Sequence, residues 1–205
     1  MTDLSSTPFT LLLLILNILV SSYALYFDSS LLDRLAFKPR EIIKGKQYFR
    51  LISGGFVHAG LAHLAFNMIT LYFFGPLLEM IMGPVRFLAL YFGSELAAHG
   101  FTLLRHRDDP DYAAVGASGA ISGVVFAFCL FFPFELLYVF FALPIPAIVF
   151  AVLYVAGSAY AMRQSDGVRG GIAHEAHLGG AVGGLIITII LVPRSLGIFL
   201  SHLGL

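Results

Sequence analysis

The chain has a single cysteine, Cys129, so no intrachain disulfide can form. That cysteine lies inside an apolar run and reads as core. Charge is scarce as well. Twelve Lys and Arg balance twelve Asp and Glu, together 12% of the residues. A chain with no net charge gives no footprint for nucleic acid. Long polar linkers, low-complexity stretches and internal repeats are missing, which points to one membrane domain over residues 1–205. Apolar residues are abundant: 59% of the chain is hydrophobic. Its mean hydropathy of +0.89 lies outside the soluble range.

The hydrophobicity falls into six stretches, taken as spans at about Phe9–Phe27, Phe56–Met82, Val85–Leu104, Ser118–Phe132, Ile145–Met162 and Ala173–Val192. About 20 apolar residues suffice to cross a bilayer. The first stretch has no basic residue before it and no small-residue cleavage site after it, so it reads as a span rather than a cleaved signal. These elements predict an all-α membrane protein, a six-helix bundle. The connection from Asp28 to Gly55 mixes Arg34, Lys38, Arg40, Lys44, Lys46 and Arg50 with apolar pairs, the pattern of short helices partly seated in the membrane interface. Pro133, Pro144 and Pro146 break up the segment from Phe134 to Leu143, which reads as a connector dipping into the interface. The tail after Pro193 is short, and no extra seventh helix is expected.

The chemistry centres on Gly116-Ala117-Ser118-Gly119-Ala120-Ile121-Ser122-Gly123. Serine becomes a useful nucleophile only beside a base, with donors to stabilise an oxyanion and room for a carbonyl. Gly116 and Gly119 supply the room. The fourth span, about 15 residues or roughly 22 Å, is short against a hydrocarbon core of about 30 Å. Ser118 therefore starts below the membrane surface, where irregular backbone survives only beside protein or a wet cavity. In the last span His177, Gly180 and Gly184 share one face, and Gly180-x-x-x-Gly184 is a close-packing pattern. Gly119-x-x-x-Gly123 offers a matching face. If the two meet, Ser118 and His177 lie together at the entrance. His63 and Asn67, four residues apart, share a face of the second span, as Glu95 and His99 do in the third.

The combination resembles the rhomboid intramembrane serine proteases. The elements that carry the resemblance are Phe49-Arg50, where the family often has Trp-Arg, then His58, His63 and Asn67, Glu79 with Gly83, the Gly-x-Ser-Gly at Gly116, and Ala176-His177-x-x-Gly180 followed by Gly184. The resemblance covers about Gln47 to Gly184. It implies a six-helix fold, Ser118 as nucleophile and His177 as its base. His63, Asn67 and the Ser118 N–H would stabilise the oxyanion, with Arg50, His58, Glu79, Gly180 and Gly184 in structural roles. It implies transmembrane protein substrates in a lipid bilayer, and no metal or other cofactor. The chain departs from the pattern at Ser122, where some members carry an aromatic that stacks on the histidine, so the support for His177 must come from elsewhere.

Other readings account for less. A His-Glu-x-x-His metalloprotease motif fails because His174 and His177 are only three apart. A non-proteolytic rhomboid-like protein that binds or escorts membrane clients would be expected to lack the serine or the histidine. A transporter leaves the serine hairpin unexplained. Two arguments conflict over orientation. The loops after spans one, three and five hold ten basic residues, against Arg86 and Arg194 on the other side. Charge alone puts the serine side in the cytoplasm. The resemblance puts both termini in the cytoplasm, in the cell (inner) membrane, with the site opening outward, and that expectation is adopted here. Substrate identity and oligomeric state are not legible.

Overall fold

A computed structural model describes residues 4–139, 142–164 and 173–205. The chain runs α1 (Pro8–Tyr26), α2 (Ser30–Leu35), α3 (Pro39–Ile43), α4 (Arg50–Ser53), α5 (Leu61–Met82), α6 (Pro84–His106), α7 (Ser118–Phe131), β1 (Leu136–Val139), β2 (Leu143–Pro146), α8 (Ala147–Gln164), α9 (His174–Leu191) and α10 (Arg194–His202). Four of these, α1, α5, α6 and α9, are long and apolar enough to cross a membrane. Helix α7 is shorter, 14 residues or about 21 Å, and the apolar part of α8 is also short of 18 residues.

The sequence-based expectations need four changes. The second span begins at Leu61 rather than Phe56: residues Gly54–Phe56 form a short 3-10 turn and Val57 is extended. His58 therefore precedes the helix. The connector after α7 is a small antiparallel hairpin, with Leu136 opposite Pro146 and Val139 opposite Leu143, so the fold is mostly helical rather than all-α. Both strands of a two-stranded ribbon are edges, which is where Pro144 and Pro146 can sit. The fifth span accordingly starts at Ala147. Finally, the tail forms α10, nine residues and too short to cross.

The core lies between α6, α7 and α9. Twelve of the fourteen residues of α7 are buried. A methyl group built on Gly180 would run into the Gly119 carbonyl, and one on Gly184 into the Gly123 backbone. The two glycine faces thus meet backbone to backbone, an approach no larger residue permits. Gly183 and Gly179 make the same kind of approach to α6, against Ala97 and Ala98.

At the other end, Glu79 closes the helix α1 onto α5. Its carboxylate accepts hydrogen bonds from the N–H groups of Phe9 (3.1 Å) and Thr10 (2.7 Å) and from the Thr10 hydroxyl (2.7 Å). The first N–H groups of a helix lack partners within it and carry partial positive charge, so a carboxylate there both satisfies and neutralises them. Gly83 then turns the chain into α6 with φ of 80°, a torsion glycine adopts without steric cost.

Candidate active site

The serine hairpin is braced from three sides. Phe37 and Ala114 pair as a β-bridge, exchanging hydrogen bonds of 2.9 and 3.0 Å. The Gly116 N–H donates to the Gly54 carbonyl at 2.9 Å. The Ala117 N–H points to His58 Nε2 at 3.4 Å, and His58 Nδ1 meets the Ser21 hydroxyl at 2.8 Å. Gly116 has φ of 115°, which excludes other residues without strain. His63 lies against it: a Cβ there would approach Nε2 to 2.7 Å.

The long first connection supplies this brace, and Arg50 organises it. Its buried guanidinium donates to the carbonyls of Asp33 (2.9 Å) and Ala36 (2.7 Å) and to Gln47 Oε1 (2.7 Å). Two of the basic residues there, Arg34 and Lys38, pair with Asp28 and Asp33. The Lys38 hydrogen bond holds the Asp33 carboxyl below its ordinary range.

Helix α7 begins at Ser118 itself. The Ser118 hydroxyl lies 2.8 Å from His177 Nε2 on the first turn of α9, within hydrogen-bond reach for proton transfer between them. Among the described residues, the N–H groups of Ser118 and Gly119 have no hydrogen-bond acceptor. The next one, from Ala120, donates to Glu95 Oε2 at 3.0 Å. Two free N–H groups at a helix N-terminus, beside a serine hydroxyl, make an anion-stabilising pocket. Asn67 is buried and donates one amide hydrogen to the His63 carbonyl of its own helix at 3.0 Å. The amide has a second hydrogen for other use.

Three features of the site were weakly marked or invisible in the sequence. Glu95 was legible as half of a pair with His99, which stands 3.5 Å away across one helix turn. Its role as the cap of α7 was not, because the cap joins residues 25 positions apart. Glu175, next to His174, accepts from the Tyr112 hydroxyl (2.6 Å) and His106 (3.1 Å), and the rings of His106 and Tyr112 stack at 3.8 Å. This ties the start of α9 to the loop ahead of Ser118. Burial, and then the Glu175 carboxylate, push the Tyr112 phenol above its ordinary range. Tyr154 on α8 carried no signal at all. Its ring stacks toward His177 at 6.3 Å, and its hydroxyl lies 2.7 Å from the Ser122 hydroxyl. Among the described residues, no three His, Cys, Asp or Glu side chains converge as a metal-binding group.

Comparison with known proteins gives the family. Residues 45–194 match the Rhomboid domain. YdcA of Bacillus subtilis, which carries a rhomboid protease name, is 33% identical over 151 residues, 72% of this chain and 69% of its own length. Rhomboid protease AarA of Providencia stuartii is 30% identical over 222 aligned positions, 95% of this chain and 76% of AarA. The mitochondrial RHOMBOID-like protein 12 of Arabidopsis thaliana is 30% identical over 67% of this chain, which spans only 45% of that protein. The apolar helices make the chain an integral, multi-pass membrane protein, and it belongs to the rhomboid family.

Proposed function

We propose that the protein is an intramembrane serine endopeptidase, a single domain of six spans that cuts transmembrane protein substrates with a Ser118–His177 dyad. The observation that carries this reading is the 2.8 Å approach of the Ser118 hydroxyl to His177 Nε2 beside the unpaired N–H groups of Ser118 and Gly119. His177 takes the hydroxyl proton as Ser118 Oγ attacks the peptide carbonyl. The resulting oxyanion is stabilised by the free N–H groups, with His63 alongside Gly116 and the second Asn67 amide hydrogen as further donors. Each such donor is typically worth about 10²–10³ in rate. His177 then returns the proton to the leaving amine, and the acyl-enzyme is hydrolysed by water activated by the same imidazole. Names of relatives support the reading, since AarA is called a rhomboid protease.

The test is labelling and cleavage in detergent. The parent chain is expected to react with a fluorophosphonate and to cut single-span substrates. Ser118→Ala should abolish both, and His177→Ala should abolish cleavage, with helicity and melting temperature retained. Turnover by Ser118→Ala would remove Ser118 from the catalytic role, whereas a parent that neither labels nor cleaves points instead to a client-binding rhomboid-like protein.

The proposed orientation has both termini in the cytoplasm and the site opening outward, against the count of basic residues. Six of the ten basic residues on the site's side, Arg34, Lys38, Arg40, Lys44, Lys46 and Arg50, sit in the first connection, which is read as lying in the membrane interface. Single cysteines at Asp109 and Ser201, in a Cys129→Ser background, are expected to be labelled in intact cells at 109 only. The reverse pattern would place the site on the cytoplasmic side.

A further inference from the structure

The position four residues after the nucleophile, Ser122, leaves the face of His177 without an aromatic from α7. The structure fills that face from another helix. Tyr154 on α8 turns its ring toward His177, with centroids 6.3 Å apart and planes 29° from parallel. Phe150 and Phe126 pack on Tyr154, at 5.6 and 5.3 Å. The Ser122 hydroxyl donates to the Ser118 carbonyl at 2.7 Å, and the Tyr154 hydroxyl lies 2.7 Å from the Ser122 oxygen. With its one hydrogen committed to that carbonyl, Ser122 accepts from Tyr154. A hydrogen-bonded chain therefore runs from Tyr154 through Ser122 to the backbone of Ser118.

We infer that Tyr154 is the positioning residue for the dyad: its ring fixes the imidazole of His177, and its hydroxyl, relayed by Ser122, fixes the turn that carries Ser118. Ser122 is then the partner that lets the aromatic come from α8, since a large side chain there would occupy the space of the Tyr154 hydroxyl. The inference rests on the dyad proposed above. Its chemistry favours the transition state. In the Michaelis complex His177 is neutral, and as it takes the proton it becomes a cation beside an aromatic face, an interaction worth more to the charged form. Loss of the ring should therefore act on kcat rather than KM.

The experiment measures kcat and KM for a single-span substrate, and fluorophosphonate labelling, for the parent, Tyr154→Leu, Tyr154→Phe, Ser122→Ala and the Tyr154→Phe/Ser122→Ala double variant. Tyr154→Leu is expected to lower kcat about tenfold with KM unchanged. Tyr154→Phe keeps the ring and should recover most of that loss. The double variant should be no slower than Ser122→Ala, because Tyr154→Phe removes only the Tyr154–Ser122 hydrogen bond, which Ser122→Ala already removes together with the bond to the Ser118 carbonyl. A Tyr154→Leu kcat within about twofold of the parent, or an effect on KM alone, overturns the inference. So does simple additivity in the double variant. If Tyr154→Leu does not fold, the additivity of the other two decides the matter by the same criterion. The parent and Ser118→Ala are labelled in parallel. A parent that fails to label refutes the dyad, whereas a labelling parent with unaffected Tyr154 and Ser122 variants refutes only this assignment.

Discussion

Helices α7 and α8 are both apolar, yet they are held in opposite ways. Helix α7 is buried almost throughout and meets α9 through glycines, backbone against backbone. Among the residues of helix α8 whose burial is described, only Ala147 and Ser158 are buried, and the helix exposes Val149, Val152, Leu153 and Tyr160. Its link to the site passes through Tyr154, Ser122 and neighbouring rings. A close-packed backbone contact tolerates no displacement, because any added or shifted atom collides. A contact made through one ring and one hydroxyl can be re-formed after a shift. The serine and the histidine stand on the rigid pair, and the aromatic support comes from the peripheral helix.

The comparison is broken most severely at the seam. Gly180→Val places side-chain carbon on the Gly119 carbonyl. Overpacking of this kind typically costs about 1–3 kcal/mol and here also parts Ser118 from His177. The variant is expected to melt at a lower temperature in detergent and to lose cleavage altogether. Parent-like melting and activity would show that α7 and α9 are not locked.

A smaller effect is expected at Glu95, which fastens α7 to α6. Glu95→Ala leaves the buried Ala120 N–H without its acceptor, at a cost of about 1–3 kcal/mol. Glu95→Gln keeps an acceptor oxygen and should lose less in melting temperature and in cleavage rate. If the two variants were equally impaired, the charge rather than the cap would be what matters, and the cap assignment would fail.

The smallest effect belongs to α8. Nothing lies within 4 Å of a methyl group built on Gly157. Gly157→Ala is expected to leave cleavage unchanged and to alter stability by no more than about 1 kcal/mol, in the favourable direction, since alanine is the better helix former. A loss comparable to that of Gly180→Val would mean that α8 is packed as tightly as α7.

The parts of the fold visible in the sequence were those that rest on local spacing. Apolar runs marked the helices, and Gly83-Pro84 marked the turn between α5 and α6. Small residues at i and i+4 on two spans pointed to the seam between Gly119, Gly123, Gly180 and Gly184. The hairpin Leu136–Pro146 was obscured by its prolines, which read as breaks in an apolar connector. Helix α10 was overlooked because a nine-residue amphipathic stretch carries little signal beside a span.

The sequence by itself determined that this is a multi-pass membrane chain of rhomboid type with a glycine-flanked serine, because hydrophobic length and residue spacing are written along one dimension. Tertiary structure alone decided how the site is held. It brought Glu95 to the start of α7, Glu79 to the start of α1, Glu175 to Tyr112, and Tyr154 to His177. Each of these joins groups distant in the chain through a buried polar or aromatic contact. No periodicity encodes such pairs: they form only when helix packing closes and each polar group removed from water must find a partner.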